Sequence, residues 1–349
     1  MNLLYEYQNG PVNVKLYDDG TKIREWDESI YGEYPPKVLH AESMDIKITN
    51  KCTGSYILPN GKLGNCPFCH EESGPTGIHG SIDYLIDLFD RSELHAGMEM
   101  AIGGGNALEH PDIIKLLEYC KSKGFVPSLT MKDVHLVDEL QQSKDHLNGM
   151  NYPQFVKYAM ENSLIYGLGI SITNESLTNK TLTDAVAEFC HFSKNSVIHV
   201  IEGINDYNVF AHNFSKFVCE HDIEPKLLVL GWKDVGRTFK MSEQQKKIYW
   251  GRTKVWQDNI HSLISWLSYH NGCAVFDNNS FEHLNIRQLA ADKVIHGDYM
   301  GDEGTQTFFI DLVSKQFTKA SVCKDRFNIN DWNLNEMFSY IYDNREQIS

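Results

Sequence analysis

The chain has 349 residues, and its 47 Asp and Glu against 32 Lys and Arg give a formal net charge of −15. Hydrophobic residues make up 42% of it and there are only 10 Pro, which excludes a largely disordered or collagen-like chain. The acidic balance argues against a broad nucleic-acid or anionic-membrane surface, and no stretch approaches the roughly 20 apolar residues of a membrane span. The N-terminus lacks the pattern of a signal peptide, so we expect a cytoplasmic protein.

The first 43 residues are predicted to form an N-terminal β-hairpin extension. Residues 13–17 and 21–26 have strand-like sequences on either side of a glycine-containing turn at 18–20. Pro35 and Pro36 then interrupt the pattern.

Residues 44–300 alternate strand-like and helix-like segments. The strand-like segments are short and apolar without strict alternation, which is typical of strands buried on both faces. Predicted strands are 44–49, 98–103, 125–131, 164–173, 197–202, 226–231, 273–277 and 293–296, and predicted helices are 82–89, 113–119, 183–195, 208–221 and 242–271. This order predicts an α/β fold, a full or partial TIM-like parallel βα barrel.

The last part of the chain, 301–349, is predicted to be a C-terminal extension. Residues 307–313 and 316–322 indicate a second β-hairpin, and a helix is expected at about 334–345.

Three of the eight cysteines are clustered directly after the first predicted barrel strand. Cys52, Cys66 and Cys69 would stand at the carboxyl end of that strand, where parallel α/β folds place their active sites. Three thiolates are one ligand short of a closed tetrahedral zinc or four-thiolate cluster site, and a cluster that binds a cofactor needs such an open position. Two alternatives remain: a structural zinc site with His70 or His79 as fourth ligand, or free cysteines without metal.

A glycine run ends the second predicted strand. Gly103, Gly104 and Gly105 precede Asn106, and glycines let the backbone approach a ligand closely. A tight β–α turn would also explain the run. Its position one βα unit after the cysteines predicts that the two loops are neighbours at one rim of the barrel.

Together these features resemble the radical S-adenosylmethionine (radical SAM) superfamily. The resemblance covers about residues 44–235. It rests on the strand 45–49 that enters the cysteine loop, on Cys66-Pro67-Phe68-Cys69 with an aromatic residue before the last cysteine, and on the glycine loop. It implies a [4Fe-4S] cluster bound by Cys52, Cys66 and Cys69, with S-adenosylmethionine on the free iron. Reductive cleavage would then give a 5′-deoxyadenosyl radical that abstracts hydrogen from a substrate.

The sequence departs from the superfamily pattern in two places. The cluster motif is expanded to Cys-x13-Cys-x2-Cys, and the inserted residues can loop out at a modest cost in entropy. Expanded loops occur in 7-carboxy-7-deazaguanine synthases, which makes a similar ring contraction an alternative reaction. The family's Gly-Gly-Glu-Pro motif reads Gly104-Gly105-Asn106-Ala107 here, so a negative charge is lost.

The resemblance implies further contacts to the cofactor. Ser171 and Thr173 end the fourth strand, where the family places polar groups near S-adenosylmethionine, although both are also ordinary strand-forming residues. The proposed cofactor-binding residues are Phe68, Gly104, Gly105, Asn106, Ser171, Thr173, Val229 and Leu230.

Other polar residues at the strand ends have two explanations each. Lys132, Lys233 and Arg237 would bind an anionic substrate or the cofactor carboxylate, or would be solvated cations. The segments 70–72 and 277–278 would contact substrate, or would begin helices. The remaining cysteines have no ligand spacing and are predicted to be inert; they are Cys120, Cys190, Cys219, Cys273 and Cys323.

The predicted partners follow from this chemistry. We expect a small-molecule or peptide substrate and an external electron donor such as flavodoxin or ferredoxin, with no membrane and no nucleic acid. The competing class is a non-catalytic, zinc-stabilised binding module.

Overall fold

The computed structural model describes residues 1–32, 35–57, 62–291 and 303–348. The strands, in chain order, are β1 (Leu3–Asn9), β2 (Val12–Tyr17), β3 (Lys22–Glu25), β4 (Ser43–Thr49), β5 (Tyr56–Ile57), β6 (Leu63–Gly64), β7 (Glu99–Gly104), β8 (Val126–Lys132), β9 (Gly167–Ser171), β10 (Ser196–Ile201), β11 (Lys226–Leu230), β12 (Cys273–Phe276), β13 (Thr307–Asp311), β14 (Gln316–Thr318) and β15 (Phe327–Asn328). The helices are α1 (Glu28–Tyr31), α2 (Ile82–Asp90), α3 (Ile113–Lys123), α4 (Tyr152–Glu161), α5 (Asn174–Leu177), α6 (Lys180–Phe192), α7 (Tyr207–His221), α8 (Glu243–Tyr269), α9 (Asn278–His283), α10 (Ile286–Ala291) and α11 (Leu334–Asn344).

One large sheet organises the fold. Its strand order is β12-β11-β10-β9-β8-β7-β4-β13-β14-β15. All pairs from β12 to β13 are parallel, and β14 and β15 continue antiparallel. Among the described residues the edge strands β12 and β15 do not pair with each other. The α/β class is therefore confirmed, with a large, mostly parallel sheet that is consistent with a partial TIM-like fold.

The predicted strands agree with this sheet, with shifted ends. The seven predicted between residues 44 and 277 all occur, although the one predicted at 164–173 is shortened to β9. The eighth, 293–296, lies outside the described residues. The C-terminal hairpin belongs to the sheet itself, because β13 pairs with β4 from Thr307 opposite Ser43 to Asp311 opposite Lys47.

The N-terminal region forms a three-stranded antiparallel sheet. The predicted hairpin corresponds to β2 and β3, and the sequence analysis missed β1, which pairs with β2. Val12, Val14 and Leu16 alternate inward and are almost completely buried. This sheet therefore has one face in the protein interior.

The strands of the large sheet alternate, so the prediction that they are buried on both faces was wrong. In β4, Met44, Ile46 and Ile48 are buried, while Asp45 between them is exposed. The neighbouring strands repeat the pattern, with Ala101 and Thr130 exposed on the same face. We call this second face, represented by Asp45, Ala101, Ser128, Thr130, Gly169, Ser171, His199 and Leu228, the open face.

Most helices begin at a side chain that caps the first turn. Ser81 accepts a hydrogen bond from the Tyr84 N–H at the start of α2. The sequence analysis missed α4, although Asn151 and Gln154 form a capping box there with Pro153 in the first turn. Within the part of the chain that is described, no helix is both long and apolar enough to cross a lipid bilayer.

Candidate functional site

The cysteine loop starts at the carboxyl end of β4. Cys52 follows β4 by three residues, and within the insertion the short strands β5 and β6 pair antiparallel. Strand β6 ends two residues before Cys66. The 13-residue gap is thus partly filled by local structure that keeps its two ends close together.

Two of the three thiols share a hydrogen-bond partner. The Ser55 hydroxyl lies 3.5 Å from Cys52 Sγ and 3.1 Å from Cys66 Sγ, and Cys66 Sγ also lies 3.7 Å from the Ser55 carbonyl oxygen. Cys69 is near enough for its charge to act on both of the other thiols. The sequence analysis missed Ser55, although its hydroxyl contacts both Cys52 and Cys66.

Burial raises the pKa of both Cys52 and Cys66. For Cys52 the hydrogen bonds of Ser55 and Gly54 oppose this rise. For Cys66 the Ser55 hydrogen bond and the nearby ammonium group of Lys132 do so. A buried thiol with a raised pKa stays protonated at neutral pH unless a cation binds to it.

The histidines proposed as a fourth zinc ligand have other partners. His79 Nδ1 lies 2.9 Å from the Thr49 hydroxyl, and His70 Nε2 lies 3.4 Å from a Glu71 carboxylate oxygen. Across the described ranges, no three His, Cys, Asp or Glu side chains form a group that would hold a single metal ion. Metal binding by the cysteine loop remains a prediction.

Glu109 fixes the loop beside Cys52. Its carboxylate accepts hydrogen bonds from the Thr53 N–H at 2.7 Å and the Thr53 hydroxyl at 2.9 Å, and the residue is only 8% exposed. Glu109 comes from the turn after β7, so it ties the region of the glycine run to the residue that follows Cys52. An acidic residue close behind the glycines is too common a feature to predict this contact.

Arg237 fixes the other end of the loop. Its guanidinium donates hydrogen bonds to the Cys66 carbonyl at 2.8 Å and to the Ser73 carbonyl. The backbone N–H of Arg237 donates to the Cys69 carbonyl at 3.0 Å. In this structure the Arg237 side chain thus binds backbone oxygens of the cysteine loop. The adjacent Gly236 has a φ of +64°, and an added Cβ would lie 2.3 Å from the His70 carbonyl oxygen, so the close approach needs glycine.

The glycine run lies directly against the cysteine segment. The Gly105 N–H donates to the Thr49 carbonyl at 2.7 Å, and the Asn106 N–H donates to the Lys51 carbonyl at 2.9 Å. A Cβ on Gly104 or Gly105 would lie 2.1 Å from one of these carbonyl oxygens, whereas a Cβ on Gly103 would meet nothing within 4 Å. Two glycines are therefore needed for contact between the loops, and the third borders open space.

Asn106 has a donor without an acceptor. Its side-chain oxygen accepts from the Leu108 N–H at 3.1 Å, which identifies the other side-chain atom as the amide nitrogen. That Nδ2 is buried, and no residue in the described part of the chain forms a hydrogen bond with it. A buried, unsatisfied donor is costly, so this position suits a ligand that presents an acceptor.

A cavity of about 160 Å³ lies beside Phe68. It is lined by Tyr56, Pro67, Phe68, Thr173, Asn174, Glu175, Ile204, Asn205, Tyr249 and Arg252. Asn174 Oδ1 is buried without a partner within the described ranges, and Arg252 donates a hydrogen bond to the Ile204 carbonyl at 2.7 Å. Aromatic rings, a carboxylate and an unpaired acceptor suit an aromatic heterocycle that carries hydrogen-bond donors. At this volume the cavity would take one moiety of a nucleoside, with the rest outside it.

The proposed cofactor residues fall in different places. Phe68 and Thr173 line the cavity, and Thr173 is the N-cap of α5 rather than part of β9. Ser171 is on the open face, and its carbonyl accepts from Lys132 Nζ at 2.9 Å. Val229 is fully buried in the core, whereas Leu230 is half-buried. The structure brings neither Val229 nor Leu230 to the cavity lining.

The sequence analysis missed several residues of the cavity. Asn174 and Glu175 follow β9, and Ile204 and Asn205 follow β10. Polar residues after two neighbouring parallel strands were the available signal, because the carboxyl ends of such strands meet at one edge. Tyr249 and Arg252 come from α8 and gave no such signal.

The open face carries titratable groups of its own. Asp45 forms no hydrogen bond with a described residue, and enclosure by protein raises its pKa while Lys233 opposes the rise. Burial lowers the pKa of His199 to about 4. The His199 ring lies against Gly169, where an added Cβ would be 2.2 Å from a ring carbon. This glycine makes room for a neutral imidazole.

The remaining polar candidates are paired within the protein. Lys132 forms an ion pair of 3.1 Å with Asp133, and Lys233 lies 3.4 Å from the Ser321 hydroxyl. Asp277 is the N-cap of α9, which agrees with the prediction that the segment 277–278 begins a helix. Burial would raise the pKa of Glu71, but His70 and Lys47 outweigh it and lower that pKa to about 2.

Comparisons with known proteins identify similar folds. The chain matches no protein-family model and no curated protein sequence. Among solved structures it is similar to SuiB from Streptococcus suis, with a TM-score of 0.56 and 11% identity over 98% of this chain and 89% of that chain. The structure of SuiB bound to S-adenosylmethionine gives a TM-score of 0.53 and 12% identity over 88% of this chain and 68% of that chain.

A third SuiB structure, bound to the precursor peptide SuiA, gives a TM-score of 0.48 and 12% identity. There this chain covers 65% of the other chain's length. At these identities the similarity concerns the fold.

Proposed function

We propose that this protein is a radical SAM enzyme in which Cys52, Cys66 and Cys69 bind a [4Fe-4S] cluster. The observation that carries the proposal is that the loop of these thiols is hydrogen-bonded to the glycine run at the carboxyl ends of β4 and β7. The donor set fits the cluster, since three thiols leave one iron free for a cofactor. SuiB, which has a similar fold, has a structure bound to S-adenosylmethionine.

When bound by Cys52, Cys66 and Cys69, the cluster would supply one electron for the cleavage of S-adenosylmethionine to methionine and a 5′-deoxyadenosyl radical, which would take a hydrogen atom from the substrate. The chain's own residues position the reactants. Ser55 holds Cys52 and Cys66 together, and Glu109 and Arg237 fasten the two ends of their loop. A rigid loop of this kind orients ligands before the cofactor binds.

The cavity beside Phe68 is the proposed site for the nucleoside of S-adenosylmethionine. Phe68 and Tyr249 offer ring surfaces to adenine, while Asn174 Oδ1 and Glu175 offer acceptors to ribose hydroxyls or amino groups. Asn106 Nδ2 is the free donor of the glycine run, and we assign it to the cofactor carboxylate. A Glu at that position would instead attract the ammonium group.

The open face is the proposed substrate surface. Asp45, Thr130 and His199 face it from three strands, and solvent reaches the first two. Neutral His199 would accept or donate one hydrogen bond without carrying charge. The substrate would be a small molecule or a peptide, and the electron would come from an external protein such as flavodoxin or ferredoxin.

Anaerobic reconstitution with iron and sulfide tests the assignment. The wild-type protein should become brown, bleach with dithionite, and release 5′-deoxyadenosine from S-adenosylmethionine. The Cys66→Ala variant should lose both the colour and the product, while Cys219→Ala, at an exposed cysteine on α7, should keep both. Product from Cys66→Ala would contradict the ligand assignment, and a colourless wild-type protein with one bound zinc would favour the binding module.

A further inference from the structure

A second cavity of about 160 Å³ borders the cysteine loop next to Cys52. It is lined by Thr53, Gly54, Leu63, His135, Leu140, Gln141, Gln142, Lys144 and Tyr152. None of these residues lines the cavity beside Phe68. The two cavities are therefore separate, although different residues of the cysteine loop line each of them.

The long connection between β8 and α4 forms much of this second cavity. It runs from residue 133 to 151 and contains three short 3₁₀ turns, at Asp133–Leu136, Asp138–Leu140 and Asp145–Leu147. Connections of this length in a compact domain often serve binding. Here the connection brings His135 and Lys144 to one space.

His135 lines the cavity and has a buried acceptor. The residue is 4% exposed, and its Nε2 lies 2.9 Å from the Gly54 carbonyl oxygen. Because a carbonyl only accepts hydrogen bonds, Nε2 carries the proton. Burial lowers the pKa of His135, so the ring is neutral and Nδ1 is an acceptor. That Nδ1 is buried and has no hydrogen-bond partner among the described residues.

Lys144 presents a cation to the same space. Its ammonium lies 5.5 Å from the centre of the Tyr152 ring, and no residue in the described ranges forms an ion pair with it. The Tyr152 ring in turn stands at 74° to the His135 ring, with 5.6 Å between their centres. Tyr152 is therefore a neighbour of both the cation and the histidine ring.

We propose that this cavity binds a small carboxylate that also carries an O–H or N–H donor. The carboxylate would pair with Lys144, and the donor would satisfy His135 Nδ1. The small volume of about 160 Å³ favours a short hydroxy acid or amino acid. The site depends only on protein groups, so its ligand binds whether or not the cysteine loop holds a cluster.

Isothermal titration calorimetry on the full-length purified protein tests this proposal. The probes are lactate and alanine, with propionate as the matched carboxylate that lacks a donor, and the longer set 4-hydroxybutyrate, 4-aminobutyrate and butyrate. We expect at least one donor-bearing probe to bind about tenfold more tightly than its matched carboxylate. The comparison of the hydroxy and amino probes decides which kind of donor the site takes.

Three variants connect the binding to these residues. His135→Phe keeps an aromatic ring but removes the Nδ1 acceptor, so the tenfold preference should disappear. Lys144→Met should weaken every carboxylate at least tenfold, whereas Lys247→Met, at an exposed lysine on α8, should change nothing.

Several outcomes would overturn the proposal. They are the absence of binding by all six probes at millimolar concentration, equal affinity for donor-bearing and donor-free probes, and equal effects of the two lysine variants. Each is independent of 5′-deoxyadenosine formation, so failure here is distinguishable from failure of the proposed enzyme function.

Discussion

His199 shows how the open face changes the chemistry of a single side chain. An ordinary histidine has a pKa of about 6.5, and burial lowers that of His199 to about 4. In the folded protein the ring is neutral down to about pH 4, whereas in the unfolded chain it binds a proton below about 6.5. The folded state therefore loses stability relative to the unfolded state as the pH falls through this window.

Replacing His199 should make the protein more tolerant of acid. Between pH 7.5 and pH 4.5 the wild-type protein should lose about 2 kcal/mol of unfolding free energy through this residue, and His199→Asn should not suffer that loss. Urea denaturation at the two pH values measures the difference. His212→Asn, at an exposed histidine on α7, serves as the control and should behave like the wild type. If the wild type and His199→Asn lost the same unfolding free energy in acid, burial would not lower the pKa of His199.

The residues that give the candidate site its chemistry could be predicted from the sequence. The residues that hold them in place could not. Cys52, Cys66, Cys69 and the glycines could be selected because thiols and glycines have few roles at a strand end. Ser55 and Glu109 could not, because common polar residues acquire their roles only through contacts made in the folded chain.

The contact between the glycine run and the cysteine segment depends on the absence of two Cβ atoms. Gly105→Ala would place its Cβ about 2.1 Å from the Lys51 carbonyl oxygen, so the loops must separate. We expect this variant to lose about 1–3 kcal/mol of unfolding free energy. Gly103→Ala has open space around it, so its melting temperature should stay near that of the wild type. Calorimetry on both variants measures the effect, and equal melting temperatures would contradict the close approach.

The secondary structure elements were predictable where a local pattern defines them. The apolar spacing in α2 and α7 and the short apolar runs of β4 and β10 were sufficient. The alternation within the strands was misjudged because small and polar residues such as Ala101 and Thr130 face an open surface rather than a second layer of helices. Strand burial depends on what covers each face, which the strand's own sequence does not state.

The pairing of distant segments could not be derived from the sequence at the scale of the whole molecule. β13 lies beside β4 although about 260 residues separate them in the chain, and no local pattern encodes that register. The cavity beside Phe68 likewise joins residues from the cysteine loop, from the ends of β9 and β10, and from α8. The carboxyl ends of parallel strands lie at one edge of the sheet, and this rule predicts only part of the cavity lining.

The C-terminal strands should unfold together with the rest of the protein. Phe308 of β13 is opposite Met44 of β4, is 1% exposed, and packs 6.1 Å from the ring of Phe338 on α11. All three belong to one continuous hydrophobic core. We therefore expect a single cooperative transition in urea, detected alike by circular dichroism and tryptophan fluorescence.

Two phenylalanine variants make this expectation quantitative. Phe308→Ala should lower the unfolding free energy of the whole chain by about 3–5 kcal/mol, because it leaves a cavity between the sheet and α11. Phe239→Ala, at a ring that is 66% exposed, should change the stability by less than about 0.5 kcal/mol. If residues 301–349 formed an independent unit, two transitions would appear and Phe308→Ala would shift only one of them. A shift of the entire transition would instead mean that β13 and β4 stabilise each other.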